Sequence, residues 1–295
     1  MSRRASLERI VTTVVLVLAW GSTFASVKIG LEAAPPLVFA GLRALVGAVI
    51  LVPVALVRDG RPRIRVTWGW HLLLGLTNIA GFFALQTLAL LALPSGLTAV
   101  LIYLQPVLVG LLAWRFLGES MRPTKAVGLL LGFGGIVVVS AGAISGDLST
   151  AGVLEAVGAA LAWATGTVAF KPAVPRLGAW WAVAGAFSVG AVVLLAIGLP
   201  LEGWQITWSW RFAAAFWYTG LIGTTLAWVL WLRLLISGEA SKVATYIFFV
   251  PLVSVTIGAL FLGERVGVAL AIGAALVAAG VYLVNRPARA GRVRS

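Results

Sequence analysis

The chain has 295 residues, 61% hydrophobic and 11% charged, with no cysteine and a net charge of +13 from 22 Lys and Arg against 9 Asp and Glu. Soluble domains average about 25% charged residues, so this composition excludes a water-covered surface, and the lack of cysteine excludes disulfides, iron–sulfur clusters and thiol catalysis. Mean hydropathy is +1.06, and apolar runs recur at the length of about 20 residues that a ~30 Å hydrocarbon layer demands of a spanning helix.

The runs predict ten helices, at 10–31, 36–57, 68–92, 95–117, 124–143, 150–171, 178–200, 210–236, 240–262 and 266–284. Continuous Leu, Ala and Gly, without two-residue alternation, favour helices over an outer-membrane barrel. The first run is too long for the apolar region of a signal peptide and reads as a retained helix. It carries Trp20 well inside the span and Lys28 near its far end. The second places Arg43 about seven residues in, where snorkelling or a structural pairing is favoured over attraction of a substrate carboxylate. In the third, Asn78, Phe82 and Gln86 recur every four residues and share a face, while His71, the sole histidine, reads as a solvated boundary residue.

The fourth helix holds Tyr103 and a mid-helix Pro106, and ends on FLGE at 116–119. Gly128, Gly132 and Gly135 in the fifth suit close helix packing. Trp163, Thr167 and Lys171 in the sixth again follow four-residue spacing, and the eighth aligns Trp217, Thr224, Trp228 and Trp231. The ninth holds Tyr246, Phe248 and Pro251 and ends on a second FLGE at 261–264; the tenth carries Gly273 and Gly280.

The FLGE copies lie 145 residues apart, and at that offset Ala99, Pro106, Gly128 and Gly135 fall on Ala244, Pro251, Gly273 and Gly280. Earlier, AWGSTFASVK (19–28) matches AWATGTVAFK (162–171) at an offset of 143. The expected organisation is therefore an all-α membrane protein of two five-helix repeats, 1–146 and 147–295, around a central cavity. An odd number of helices per repeat inverts the second half, an arrangement characteristic of secondary transporters. Segments 1–9, 58–67, 115–125, 171–177, 233–242 and 285–295 hold 18 of the 22 basic residues. That bias puts both termini in the cytoplasm. The basic excess has anionic lipid as its partner, not nucleic acid.

Ten helices in two halves, LAWGSTFASVKIGLEAAPPLVFAGLRAL at 18–45, and a P…FLGE…G…G close in each half resemble the EamA branch of the drug/metabolite transporter superfamily. Within it the chain looks most like YddG-type amino-acid exporters. The resemblance covers essentially the whole chain and implies efflux of amino acids or related small metabolites across the bacterial inner membrane by alternating access. It implies no cofactor and no metal, and a chain that functions as a monomer, with a dimer left open.

Trp163, Asn78, Phe82, Tyr103, Gln86, Trp20, Thr167, Trp217 and Tyr246 are the candidate substrate-binding residues, since amides and aromatics deep in the membrane favour a cavity over packing. Pro106 and Pro251 are candidate hinges, and Arg43, Lys28 and Lys171 candidate charge-bearing residues. Glu119 and Glu264 read as structural, each accepting bonds from the amides of the next helix. An intramembrane enzyme lacks its parts: no HExxH motif, no thiol and no mid-membrane aspartate pair occur in the sequence. Sugar-phosphate and nucleotide-sugar carriage would want several central basic residues, and cationic-drug efflux a membrane carboxylate.

Overall fold

A computed structural model describes residues 3–93, 95–140, 149–253, 256 and 268–286. The helices are α1 (Arg3–Leu31), α2 (Pro36–Arg58), α3 (Ile64–Ala92), α4 (Thr98–Phe116), α5 (Pro123–Ser140), α6 (Thr150–Leu177), α7 (Ala179–Glu202), α8 (Trp210–Ser237), α9 (Ala240–Val253) and α10 (Val268–Asn285). Among the described residues seven of these are long and apolar enough to cross a membrane, and Pro123–Val138, Ala240–Val253 and Ala271–Asn285 are shorter apolar helices. The second FLGE copy, with Glu264, and the junction between the two expected repeats lie outside the described residues.

Local chemistry sets the helix limits. Pro36 opens α2, where its missing N–H costs nothing. Ser149 and Ser209 cap α6 and α8 by accepting the amides of Gly152 and Phe212 at 3.2 and 3.1 Å. Gly60 and Gly203, with φ of 76° and 73°, end the turns that follow α2 and α7 in a region that disfavours any Cβ.

Each of those glycines follows a carboxylate that caps the other helix. Asp59, after α2, accepts the amides of Trp180 and Trp181 at the start of α7, at 2.8 and 3.1 Å. Glu202, at the end of α7, accepts those of Leu37 and Val38 at the start of α2, at 2.9 and 3.1 Å. The two helices therefore run antiparallel along each other, and both caps obey the 143-residue offset. Each carboxylate also meets the positive end of a helix dipole, and a cap of this kind stabilises by about 1 kcal/mol.

The α5–α10 pair has the same antiparallel character. A Cβ on Gly128 would stand 2.7 Å from the Gly280 carbonyl oxygen, and one on Gly135 would stand 2.7 Å from that of Gly273. Backbone meets backbone, so only glycine fits. Leu7, Ile10, Val11, Val14 and Leu18 leave α1 with an apolar outer face, as a helix solvated by hydrocarbon requires. Between the α2–α7 and α5–α10 pairs lie α1, α3, α4, α6 and α8, which enclose the interior.

Glu119 corrects an expectation. It caps not the following helix but α9, accepting the amides of Ala240 and Ser241 at 2.6 and 3.2 Å and the Ser241 hydroxyl. Lys125 reaches it at 3.3 Å and Glu239 at 3.4 Å, and Lys242 also pairs with Glu239. Burial opposes ionisation of Glu239, but the bonds and charges of Lys242 and Lys125 outweigh it and hold the carboxyl below its ordinary range. His71 is likewise corrected: it is buried, with its ring against Gly185 and edge-on to Trp181.

Candidate functional site

A cavity of about 40 Å³ lies among α1, α2, α3, α4, α6 and α8. It reaches Val27 in the last turns of α1 and Leu90 near the end of α3, so it sits toward the face where α1 ends and α2 begins. Its volume accepts a few waters and falls far short of the ~300 Å³ at the lower end of ligand pockets.

Tryptophans dominate the wall. Trp20 meets Trp163 edge-on at 5.2 Å between ring centroids, and Phe82 stacks on Trp163 at 4.8 Å. Trp228 closes a third side, 6.2 Å from Trp20 and 6.4 Å from Trp163, and Trp231 packs behind both. Edge-to-face and offset contacts of this kind add about 0.5–1.5 kcal/mol each beyond area burial. The Trp20 Nε1 donates to the Gly223 carbonyl at 3.1 Å, while the Trp163 Nε1 has no partner among the described residues.

Gly223 lies in one of two π-helical stretches, Gly75–Gly81 in α3 and Thr219–Leu226 in α8. The two fall at equivalent places in the 145-residue register. A π turn widens the helix, rotates the side chains beyond it out of a 3.6-residue phase, and loosens the carbonyl ladder. That is how Gly223 can serve the Trp20 indole.

Arg43 is the charged wall of the cavity. It is only 2% exposed, which overturns the snorkelling expectation. One terminal nitrogen donates to Gln86 Oε1 at 3.3 Å, and the guanidinium carbon lies 4.1 Å from the Phe83 ring centroid. Its Nε has no partner among the described residues. Desolvating such an ion costs several kcal/mol. The cation–π contact returns about 2 kcal/mol and the charged hydrogen bond about 1.5–3.

The structure brings Trp20, Arg43, Phe82, Gln86, Tyr103 and Trp163 together on the cavity wall. Other candidates lie off this wall. Trp217 is 52% exposed, because the π stretch after it breaks the stripe that seemed to join it to Thr224 and Trp228. Asn78 lies inside the α3 π stretch and packs its amide on Gly166, fully buried with neither amide atom bonded to protein. Thr167 accepts from Gln105 Nε2 at 3.1 Å, below the cavity. Tyr246, in a 3₁₀ stretch over Thr245–Phe249, turns to Asn285 of α10 at 3.4 Å.

Lys171 donates to the Gly238 carbonyl at the face opposite the cavity, and Lys28 is exposed in the last turn of α1. Pro106 lies in the middle of α4, in the first turn of Gln105–Phe116, directly after a break at Tyr103 and Leu104. Pro251 follows the 3₁₀ stretch at the equivalent place in α9. Thr23, Phe24 and Phe83 also line the cavity. Phe24 and Phe83 carried a signal, being one turn from Trp20 and adjacent to Phe82.

Comparison with known proteins decides the family. The EamA-like transporter family matches residues 9–141 and 150–286. The chain belongs to the EamA-like transporter family. It is 40% identical over 276 residues to the uncharacterized transporter YvbV of Bacillus subtilis, covering 93% of this chain and 90% of that protein. It is 30% identical over 287 residues to a probable amino-acid metabolite efflux pump of Salmonella typhimurium, covering 91% of each. A solved crystal structure shares the fold, with a TM-score of 0.79 at 23% identity over 96% of this chain and 97% of the other. As an EamA-like transporter, the chain is a multi-pass membrane protein whose enclosed interior is a polar and aromatic cavity. Away from that cavity wall, polar contacts join Gln105 to Thr167, Lys171 to Gly238 and Glu119 to α9.

Proposed function

We propose that this transporter exports amino acids with neutral or aromatic side chains, or closely related small metabolites, across the bacterial cytoplasmic membrane. The observation that carries the proposal is the cavity itself, in which one guanidinium faces a box of indole and phenyl rings. The rings offer an apolar wall with one N–H, that of Trp163, unpartnered among the described residues, and the guanidinium offers a counter-charge to a carboxylate. The name of the Salmonella relative points the same way.

We read the mechanism as alternating access between two inverted repeats, 1–146 and 147–295. The reciprocal Asp59 and Glu202 caps, the paired glycines of α5 and α10 and the two π stretches support that reading, since each obeys the repeat offset. The 18 basic residues on one side support cytoplasmic termini. In this orientation the cavity lies on the external half, and the Glu119 cluster and Lys171 close the cytoplasmic half. Pro106 and Pro251, each beside a local break in its helix, are the bending points. No described carboxylate lines the cavity, which favours facilitated diffusion or exchange over proton coupling.

The test is counterflow in proteoliposomes with a panel of labelled amino acids. Saturable, trans-stimulated flux of a neutral or aromatic amino acid supports the proposal. A panel that is silent throughout, from folded protein, refutes it.

A further inference from the structure

We infer that Arg43 is the carboxylate-binding residue of the cavity and that the substrate class is aromatic or apolar monocarboxylates, in which the ammonium group is dispensable. This deepens the reading that the cavity is the transport site and rests on it.

The guanidinium is buried, leans on the Phe83 face and is held by the Gln86 amide, yet its Nε has no partner among the described residues. No acidic residue within the described part of the chain answers it. Asp59 and Glu202 cap helices, Glu119 and Glu239 share Lys125, and Glu32 pairs with Arg211 at 3.5 Å. Glu8 and Glu155 do not line the cavity. A buried cation fixed by a neutral amide and a ring is a charge waiting for an external anion. The fork of N–H groups suits a carboxylate in particular.

The opposite charge has no such provision. No carboxylate among the lining residues answers an incoming ammonium, and the one charged group on the wall, Arg43, has the same sign. A single cation also undercompensates a phosphate dianion and repels an amine. The site thus discriminates by the carboxylate and by apolar bulk, not by the amino group.

The test uses the full-length protein in detergent micelles and four probes of one skeleton, measured by titration calorimetry: L-phenylalanine, 3-phenylpropionate, phenethylamine and 3-phenylpropionamide. The two carboxylates should bind within about threefold of each other, and the amine and amide at least about tenfold more weakly. Arg43→Gln should weaken both carboxylates roughly 10- to 100-fold and leave the amine and amide unchanged, with Arg43→Lys intermediate. Because the wild-type ligand series stands alone, a variant that fails to fold does not remove the test.

Binding of L-phenylalanine but not 3-phenylpropionate would overturn the inference while leaving amino-acid export standing. Binding of 3-phenylpropionate alongside a silent amino-acid panel would do the reverse. Equal binding of phenethylamine, or silence from all four probes, also overturns it.

Discussion

Replacing Glu119 with alanine should unseat α9. The carboxylate accepts two backbone amides and a hydroxyl at the start of that helix and neutralises Lys125, whose side chain is 7% exposed. The loss of a helix cap costs about 1 kcal/mol, and stranding the partner of a buried ion pair costs about 3–5 kcal/mol. Glu239 remains at 3.4 Å from Lys125 but is 40% exposed and shared with Lys242, so it recovers only part of that. A net loss of roughly 3 kcal/mol is expected, read as a lower midpoint in mixed-micelle SDS unfolding. Adding Lys125→Met to Glu119→Ala should restore part of the loss, because the stranded charge is gone. An unchanged midpoint for Glu119→Ala would show that α9 does not depend on this cap.

Gly280→Val places methyls against the Gly128 carbonyl and the Gly132 backbone and should cost about 1–3 kcal/mol, whereas the same change at exposed Gly69, where a Cβ meets nothing within 4 Å, should cost less by the same unfolding assay. Lys242 and Lys125 hold the Glu239 carboxyl below its ordinary value of 4.5, so its contribution is complete above pH ~4.5 and disappears as pH falls through the lowered value; Glu239→Gln should destabilise at pH 7 and converge with wild type in acid. In a chain without cysteine, Gln205→Cys should react with an impermeant maleimide on intact cells and Ser120→Cys only after permeabilisation; the reverse pattern would overturn the assigned orientation.

The parts of the fold that were legible in the sequence are those set by the solvent. Apolar runs of bilayer length had to be helices, and glycines at the 145-residue offset had to be places where backbones touch, as Gly128 and Gly280 do. Cavity residues were legible where an α-helix keeps its phase, as for Trp20, Phe82 and Gln86. Legibility ended where the phase changes. Trp217 and Asn78 were misplaced by π stretches and Tyr246 by a 3₁₀ stretch, and composition does not announce any of the three. The Asp59 and Glu202 caps were not read from the sequence, because their partners lie more than 120 residues away and only the folded chain pairs them. Arg43 reads equally well as a snorkelling residue until the rings of Phe83 and Phe39 are found around it.

The central claim, that the aromatic cavity is the path of the substrate, is tested most directly at Trp163. Counterflow of the best labelled amino acid should be measured per folded molecule for wild type, Trp163→Phe and Trp163→Ala. Saturable flux is expected in wild type, partial retention with Phe, and at least a tenfold loss per folded molecule with Ala, about 1.4 kcal/mol. The unfolding midpoint should fall with Ala, because Trp163 is buried against Trp20, Phe82, Tyr103, Trp228 and Trp231, so flux is compared only per folded molecule. Normal flux from Trp163→Ala, with every amino acid carried by the wild type, would place the path elsewhere.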